Sequence, residues 1–103
     1  RRFGRPETAK AFLKWLPKAI RRFAHDDCKV LLYQAGADPH IKDPLGGWLT
    51  TAQLHQRDRI VFEACKKEGL SVAWNLAGGY QEPFSKVIEI HMNTMKACAE
   101  VFT

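Results

Sequence analysis

The spacing of hydrophobic residues along the chain changes repeatedly between a helical pattern and a strand-like pattern. Residues 7–24 place large apolar side chains three and four positions apart, which is the spacing of a helix with one buried face. The same spacing appears in residues 50–69, between a threonine pair and a glycine, and again in residues 83–101. These patterns predict three amphipathic helices, and the first is either kinked at Pro17 or divided there into two pieces.

Two short and almost continuously apolar segments, residues 29–34 and 70–76, lie between the predicted helices. Each is followed by glycines, at Gly36 and at the pair Gly78-Gly79. Such segments are typical of strands buried on both faces, as in parallel sheets. The order helix, strand, helix, strand, helix therefore predicts an α/β fold with a parallel sheet, and 103 residues indicate one domain at most.

The loops that follow the two strands hold the most promising candidates for chemistry. The carboxyl ends of neighbouring parallel strands lie at one edge of a sheet, where ligands bind in open α/β folds. We therefore expect Asp38 and Tyr80 to face the same crevice. Asp38 is compatible with a metal ligand, a general base, a helix cap or a turn former. Tyr80 is compatible with a packing role or with a hydrogen-bond donor that stabilises an oxyanion.

Several other catalytic signatures are absent from the sequence. Neither serine lies in a G-x-S-x-G motif, no phosphate-binding glycine loop occurs, and the four histidines lack the H-E-x-x-H spacing. The three cysteines are far apart, which argues against a disulfide framework and against a structural zinc cluster. The sequence Asp38-Pro39-His40 does read Asp-x-His, a pair that can bind a metal.

The net charge of +5 is concentrated at the start of the chain, where residues 1–22 carry eight basic side chains and one acidic side chain. We interpret these charges as a solvated helix face, because Lys10, Lys14 and Lys18 recur every four residues beside apolar positions. The alternative is a non-enzymatic module that binds nucleic acid or an acidic partner through this helix. The sequence contains no apolar run that could cross a membrane and no secretory signal, so we expect a cytoplasmic protein without a membrane partner.

A longer set of motifs resembles a known family. The segment YQAGADPHIKDPLGGWLTTAQLHQRD, residues 33–58, is followed by LAGGYQ at 76–81 and by KVIEIHMNT at 86–94. These motifs are similar to the C-terminal part of the histone deacetylase superfamily, which includes bacterial lysine-deacetylase-like, acetoin-utilisation and acetylpolyamine amidohydrolases. The resemblance implies an arginase-like parallel sheet flanked by helices, of which residues 1–103 would form a partial domain, the C-terminal α-β-α-β-α fragment. The chain begins with arginine rather than methionine, and we expect it to be part of a longer protein.

The same resemblance implies zinc-dependent hydrolysis of acetyl-lysine or acetyl-amine amides. In that interpretation Asp38, in the motif G-A-D, is one of three protein ligands of the catalytic zinc. Tyr80 donates a hydrogen bond to the acetyl carbonyl oxygen and to the tetrahedral oxyanion. Leu45 lines the narrow substrate channel, and Gly78 and Gly79 form part of its wall.

The sequence departs from the family pattern in its set of catalytic and metal-binding residues. The family takes its other two zinc ligands from an upstream Asp-x-His motif and its acid–base pair from two adjacent histidines, and neither occurs here. His40 does not replace them, because the aspartate beside it is already the G-A-D ligand. We therefore expect the isolated chain neither to hydrolyse acetylated substrates nor to bind zinc tightly. Nucleic acid is not the expected partner, whereas exposed strand edges could pair with a second copy of the chain.

Overall fold

The computed structural model describes residues 6–103, so the basic residues Arg1, Arg2 and Arg5 lie outside the described residues. The described part contains three helices and two strands in the predicted α-β-α-β-α order, which confirms the α/β class. The elements are α1 (Pro6–His25), β1 (Val30–Gly36), α2 (Thr51–Glu68), β2 (Ser71–Ala77) and α3 (Ser85–Phe102). None of the described helices is long and apolar enough to cross a lipid bilayer.

The ends of α2 show why this helix begins and ends where it does. The Thr50 side chain accepts a hydrogen bond from the Gln53 N–H at 3.1 Å, and the Gln53 side chain accepts one from the Thr50 N–H at 3.0 Å. This reciprocal pair satisfies two amides at the helix N-terminus. At the other end Gly69 has a φ of +70°, a left-handed conformation that glycine adopts without strain. By contrast, α1 runs through Pro17 as one helix and is not divided.

Within residues 6–103 the sheet consists of β1 and β2, which are parallel, with Val30 opposite Ser71 and Gly36 opposite Ala77. One face of the sheet packs against the helices through alternate residues such as Tyr33 and Trp74. The other face is exposed, and Leu32 on it is 81% exposed. Burial of both faces, predicted from the apolar character of the strands, is therefore wrong for the described residues, because all three described helices pack on the same side.

The hydrophobic core is centred on α2, which contacts both α1 and α3. Phe62 of α2 is fully buried, and three other aromatic rings meet it edge to face at centroid distances of 5.7 to 5.9 Å. These rings belong to β1, β2 and α3 respectively: Tyr33, Trp74 and Phe102. Edge-to-face contacts of this kind add stability beyond the area they bury. Phe62 therefore joins the sheet to the last helix.

A buried polar network lies beside this core. Asp58 is fully buried, and its Oδ1 atom accepts hydrogen bonds from Arg57 Nε at 3.0 Å and Arg57 Nη2 at 2.9 Å. The Tyr33 hydroxyl donates to the same oxygen, and the Thr94 hydroxyl donates to Oδ2. Burial raises the pKa of the Tyr33 phenol, so this hydroxyl stays protonated and acts as a donor. Four polar side chains from three elements thus satisfy one another.

Replacement of Asp58 by asparagine should strongly destabilise the chain. The change leaves the Arg57 guanidinium buried without its counter-charge, and breaking such a pair costs about 3–5 kcal/mol of unfolding free energy. The measurement is equilibrium unfolding in urea. Glu63→Gln is the matched control, because it removes an ion pair with Arg59 at the surface that should contribute about 0.5 kcal/mol or less. Equal losses in the two variants would contradict the importance of the buried network.

Candidate active site

The carboxyl ends of β1 and β2 lie next to each other, as the parallel pairing predicted. The Ala37 N–H, just beyond β1, donates a hydrogen bond at 2.9 Å to the carbonyl of Ala77, the last residue of β2. Asp38 and Gly78 therefore begin their loops as neighbours. The loop of residues 38–49 lies within the segment that joins β1 to α2, and the loop of residues 78–84 joins β2 to α3.

The Asp38 carboxylate lies directly against the backbone of Gly78. A Cβ atom built on Gly78 would be 2.5 Å from Asp38 Oδ1 and 2.9 Å from its Cγ, so no other residue fits there without moving the carboxylate. A Cβ atom on Gly36 would be 2.8 Å from the same oxygen. Within residues 6–103 the carboxylate accepts no hydrogen bond, and it is half-buried between two glycines. Its oxygens are thus available to a cation at the edge of the sheet.

Gly79 is also a glycine for a steric reason, because Val87 and Ala37 occupy the space that a side chain would need. A Cβ atom on it would be 2.5 Å from Cγ1 of Val87 in α3 and 3.1 Å from the Cβ of Ala37. Both glycines also have positive φ angles, +59° for Gly78 and +106° for Gly79. The glycine pair therefore lets the second loop pass between Asp38 and α3 and present Tyr80, whose side chain is 57% exposed.

The loop of residues 38–49 is held together by the Pro39 carbonyl. The N–H groups of Trp48 and Leu49 both donate to this oxygen at 2.9 Å. Gly47 permits the close approach, because a Cβ atom there would be 2.1 Å from the Pro39 oxygen. Leu45 lies in the same loop and is 66% exposed, so its apolar side chain is open to solvent.

His40 is a structural brace of the same loop. Its side chain is buried, Nδ1 accepts a hydrogen bond from the Lys42 N–H at 3.0 Å, and Nε2 lies 2.9 Å from the Thr51 hydroxyl. Burial lowers the pKa of His40, and the adjacent Lys42 charge lowers it further. The ring is therefore neutral, and because Nδ1 is an acceptor, Nε2 carries the proton. With both nitrogens engaged, His40 does not join Asp38 in an Asp-x-His metal pair.

Asp43 connects the two loops, and sequence reasoning missed its contribution. This residue is only 5% exposed, and its Oδ2 atom accepts a hydrogen bond from the Tyr80 N–H at 2.9 Å. Its Oδ1 atom accepts one from the Leu45 N–H, also at 2.9 Å. The signal in the sequence is Asp43-Pro44, since aspartate before proline often bonds to the backbone two residues on. That signal predicts the bond to Leu45 but not the bond to Tyr80.

The described residues do not form a complete metal site. No group of three histidine, cysteine, aspartate or glutamate residues in this part of the chain is arranged to hold a metal ion. Asp38 fits one position of a zinc coordination sphere, because its carboxylate is accessible and bonded to nothing else described. A catalytic zinc normally takes three protein ligands, so two more would have to come from other residues.

Comparison with known proteins agrees with the motifs. A family model for the histone deacetylase domain matches residues 1–95 of the chain. An uncharacterized protein from Picosynechococcus sp. (strain ATCC 27264 / PCC 7002 / PR-6) is 31% identical over 74 residues, which is 71% of this chain and 25% of that protein. The chain thus spans about a quarter of the length of this relative.

The contact between Gly78 and Asp38 leads to a prediction about Gly78→Ala. A positive φ costs an alanine about 1–2 kcal/mol, and the clash with the Asp38 carboxylate should add roughly 1–3 kcal/mol or push that side chain aside. Gly69→Ala is the matched control, because Gly69 has a similar φ of +70° and a Cβ atom there would meet nothing within 4 Å. Urea unfolding and the carboxyl ¹³C chemical shift of Asp38 measure the two effects. Equal losses, with an unchanged Asp38 signal in both variants, would contradict the close contact.

Proposed function

The chain belongs to the histone deacetylase family, and we propose that it forms the C-terminal portion of a zinc-dependent amidohydrolase. The proposed substrates are acetylated lysine side chains or acetylated amines. The observation that carries the proposal is the contact of the Asp38 carboxylate with Gly78, two residues before Tyr80. A candidate zinc ligand and the loop of a candidate oxyanion donor therefore share one edge of the sheet.

Each candidate residue has a role that suits its surroundings. A bound zinc ion would polarise the scissile carbonyl and lower the pKa of a water molecule. Asp38 would hold that ion with a carboxylate that has no competing hydrogen bond within the described chain. Tyr80 would donate its phenolic proton in a hydrogen bond to the substrate oxygen as negative charge develops there. The exposed Leu45 side chain would contact the acyl-lysine or acyl-amine chain beside the bare backbone of Gly78 and Gly79.

The remaining parts of the site would come from elsewhere in the longer protein. Two further zinc ligands and a general base are needed for amide hydrolysis, and the described residues contain no group of three side chains that could hold a metal ion. We propose that the isolated chain is inactive and binds zinc weakly. A cytoplasmic location and the pairing of open strand edges with a second copy stay predictions.

The role of Tyr80 is tested in the zinc-loaded longer protein with an acetyl-lysine peptide. Tyr80→Phe should lower kcat by about 10²–10³-fold, the usual effect of losing one oxyanion donor. Tyr33→Phe is the matched control, because it removes the other tyrosine hydroxyl of the chain from the buried network. That variant should lose about 1.5–3 kcal/mol of unfolding free energy while keeping its kcat. Unchanged kcat in Tyr80→Phe would refute the proposed role.

The isolated 103-residue chain provides a separate test of its incompleteness. Incubated with zinc and the same peptide, it should release no acetate above the rate of the buffer. Metal-dependent deacetylation by this chain, abolished by Tyr80→Phe, would show instead that these residues build a working site by themselves.

The alternative function, binding of nucleic acid or an acidic partner through α1, is supported by one observation. Lys10, Lys14 and Lys18 are exposed on the helix surface. An exposed basic row is also what a solvated helix face displays, so we expect weak DNA binding that changes little when the three lysines are replaced by glutamate. Salt-sensitive DNA binding, measured by fluorescence anisotropy and lost in that triple variant, would favour the alternative.

A further inference from the structure

We propose that Asp43 is a positioning residue for Tyr80, and that its buried carboxylate sets the place of the phenol relative to Leu45. The inference rests on the proposed function, because it concerns the residue to which oxyanion stabilisation is assigned. Asp43 lies on the loop of residues 38–49 and acts through its hydrogen bond to the backbone N–H of Tyr80.

Each carboxylate oxygen of Asp43 accepts a hydrogen bond from the backbone of one residue of the site. Oδ1 accepts the Leu45 N–H and Oδ2 accepts the Tyr80 N–H, both at 2.9 Å. Hydrogen bonds to an ionised acceptor are about twice as strong as bonds between neutral groups, and the side chain is 5% exposed, so water competes little. A single side chain therefore fixes the separation between the residue proposed to line the channel and the residue proposed to bind the oxyanion.

Tyr80 depends on this bond because little else holds it. Its side chain is 57% exposed, so packing does not define its position. The two residues before it are glycines, which have the widest conformational freedom of any residue. Among the described residues, Asp43 is the hydrogen-bond partner of Tyr80. Without it, the glycine pair would let the phenol move relative to Asp38.

Asp43 can perform this task because its own backbone is fixed. Its N–H donates to the His40 carbonyl at 3.0 Å, and its carbonyl accepts from the Gly46 N–H at 2.9 Å. The two bonds to the Pro39 carbonyl close the loop around it. The Asp43 side chain therefore connects the Tyr80 loop, whose glycines allow many backbone conformations, to a loop that is closed by its own hydrogen bonds.

Asp43→Asn in the zinc-loaded longer protein tests the inference. An amide side chain has one acceptor oxygen, so its NH₂ group must face either the Leu45 N–H or the Tyr80 N–H, and one of the two bonds is lost. We expect kcat to fall by roughly tenfold to a hundredfold, because a misplacement of about 1 Å costs up to about a hundredfold. KM should change much less. Asp26→Asn is the matched control, because its exposed carboxylate pairs with Arg22 on α1, away from both loops.

The double variant Asp43→Asn/Tyr80→Phe separates positioning from a general structural effect. If Asp43 acts through the phenol, the kcat of the double variant should lie within about twofold of Tyr80→Phe alone. Kinetics are measured at a temperature where circular dichroism shows that all variants are folded. Losses that multiply in the double variant would overturn the inference.

Asp43→Glu provides a second variant, which serves if Asp43→Asn does not fold. It retains the charge but places the carboxylate oxygens one methylene further out, and it should lower kcat in the same non-additive way.

A second readout does not depend on activity. In the ¹⁵N-labelled chain, Asp43→Asn should shift the amide proton of Tyr80 or Leu45 upfield and raise its hydrogen-exchange rate about tenfold or more, relative to Asp26→Asn. Unchanged shifts and exchange at both amides would overturn the inference even if deacetylation were confirmed. If Tyr80→Phe keeps full activity while these amides respond to Asp43→Asn, the proposed function fails and the bond between the loops stands.

Discussion

Asp58 carries a negative charge beside the hydrophobic core, where it is fully buried, and polar groups from three elements bond to it. Arg57 approaches from the same helix, the Tyr33 hydroxyl from β1 and the Thr94 hydroxyl from α3. A charge in this position is tolerated only while its partners stay within hydrogen-bond distance. The relative placement of α2, β1 and α3 is therefore constrained by chemistry as well as by the packing around Phe62.

The same network reaches the edge of the sheet. Arg57 Nη1 donates to the Gly36 carbonyl at 2.8 Å, at the last residue of β1 and two positions before Asp38. Gly36 in turn leaves space for Asp38 Oδ1, which a Cβ atom there would approach to 2.8 Å. The candidate zinc ligand thus follows a strand end that is tied to the buried charge. A change at Arg57 would disturb the stability of the core and the position of Asp38 together, whereas Tyr33→Phe leaves the bond from Arg57 to the Gly36 carbonyl in place.

The sequence predicted the elements of this fold well because each has a clear hydrophobic period, and the parallel order then placed Asp38 and the Tyr80 loop at one edge. The sequence did not predict the exposure of Leu32. An apolar residue indicates that burial would be favourable, but it does not show whether another element covers that side chain. Nor did the sequence predict Arg57 and Asp58 in the core, where charged residues are rarely found unless paired. The hydrogen bond between Asp43 and Tyr80 was missed because it joins residues 37 positions apart, and such a bond produces no pattern in the spacing of residues along the sequence.

The glycine pair before Tyr80 explains why such a bond is needed. Gly78 makes space for the Asp38 carboxylate and Gly79 for Val87, so the chain can leave the sheet edge only with residues that lack a side chain. Residues of that kind impose almost no conformational restraint of their own. The role proposed for the Tyr80 phenol requires a defined position, so it needs a restraint from outside this segment. In this fold Asp43 offers such a restraint, from a loop that is closed by backbone hydrogen bonds to the Pro39 carbonyl.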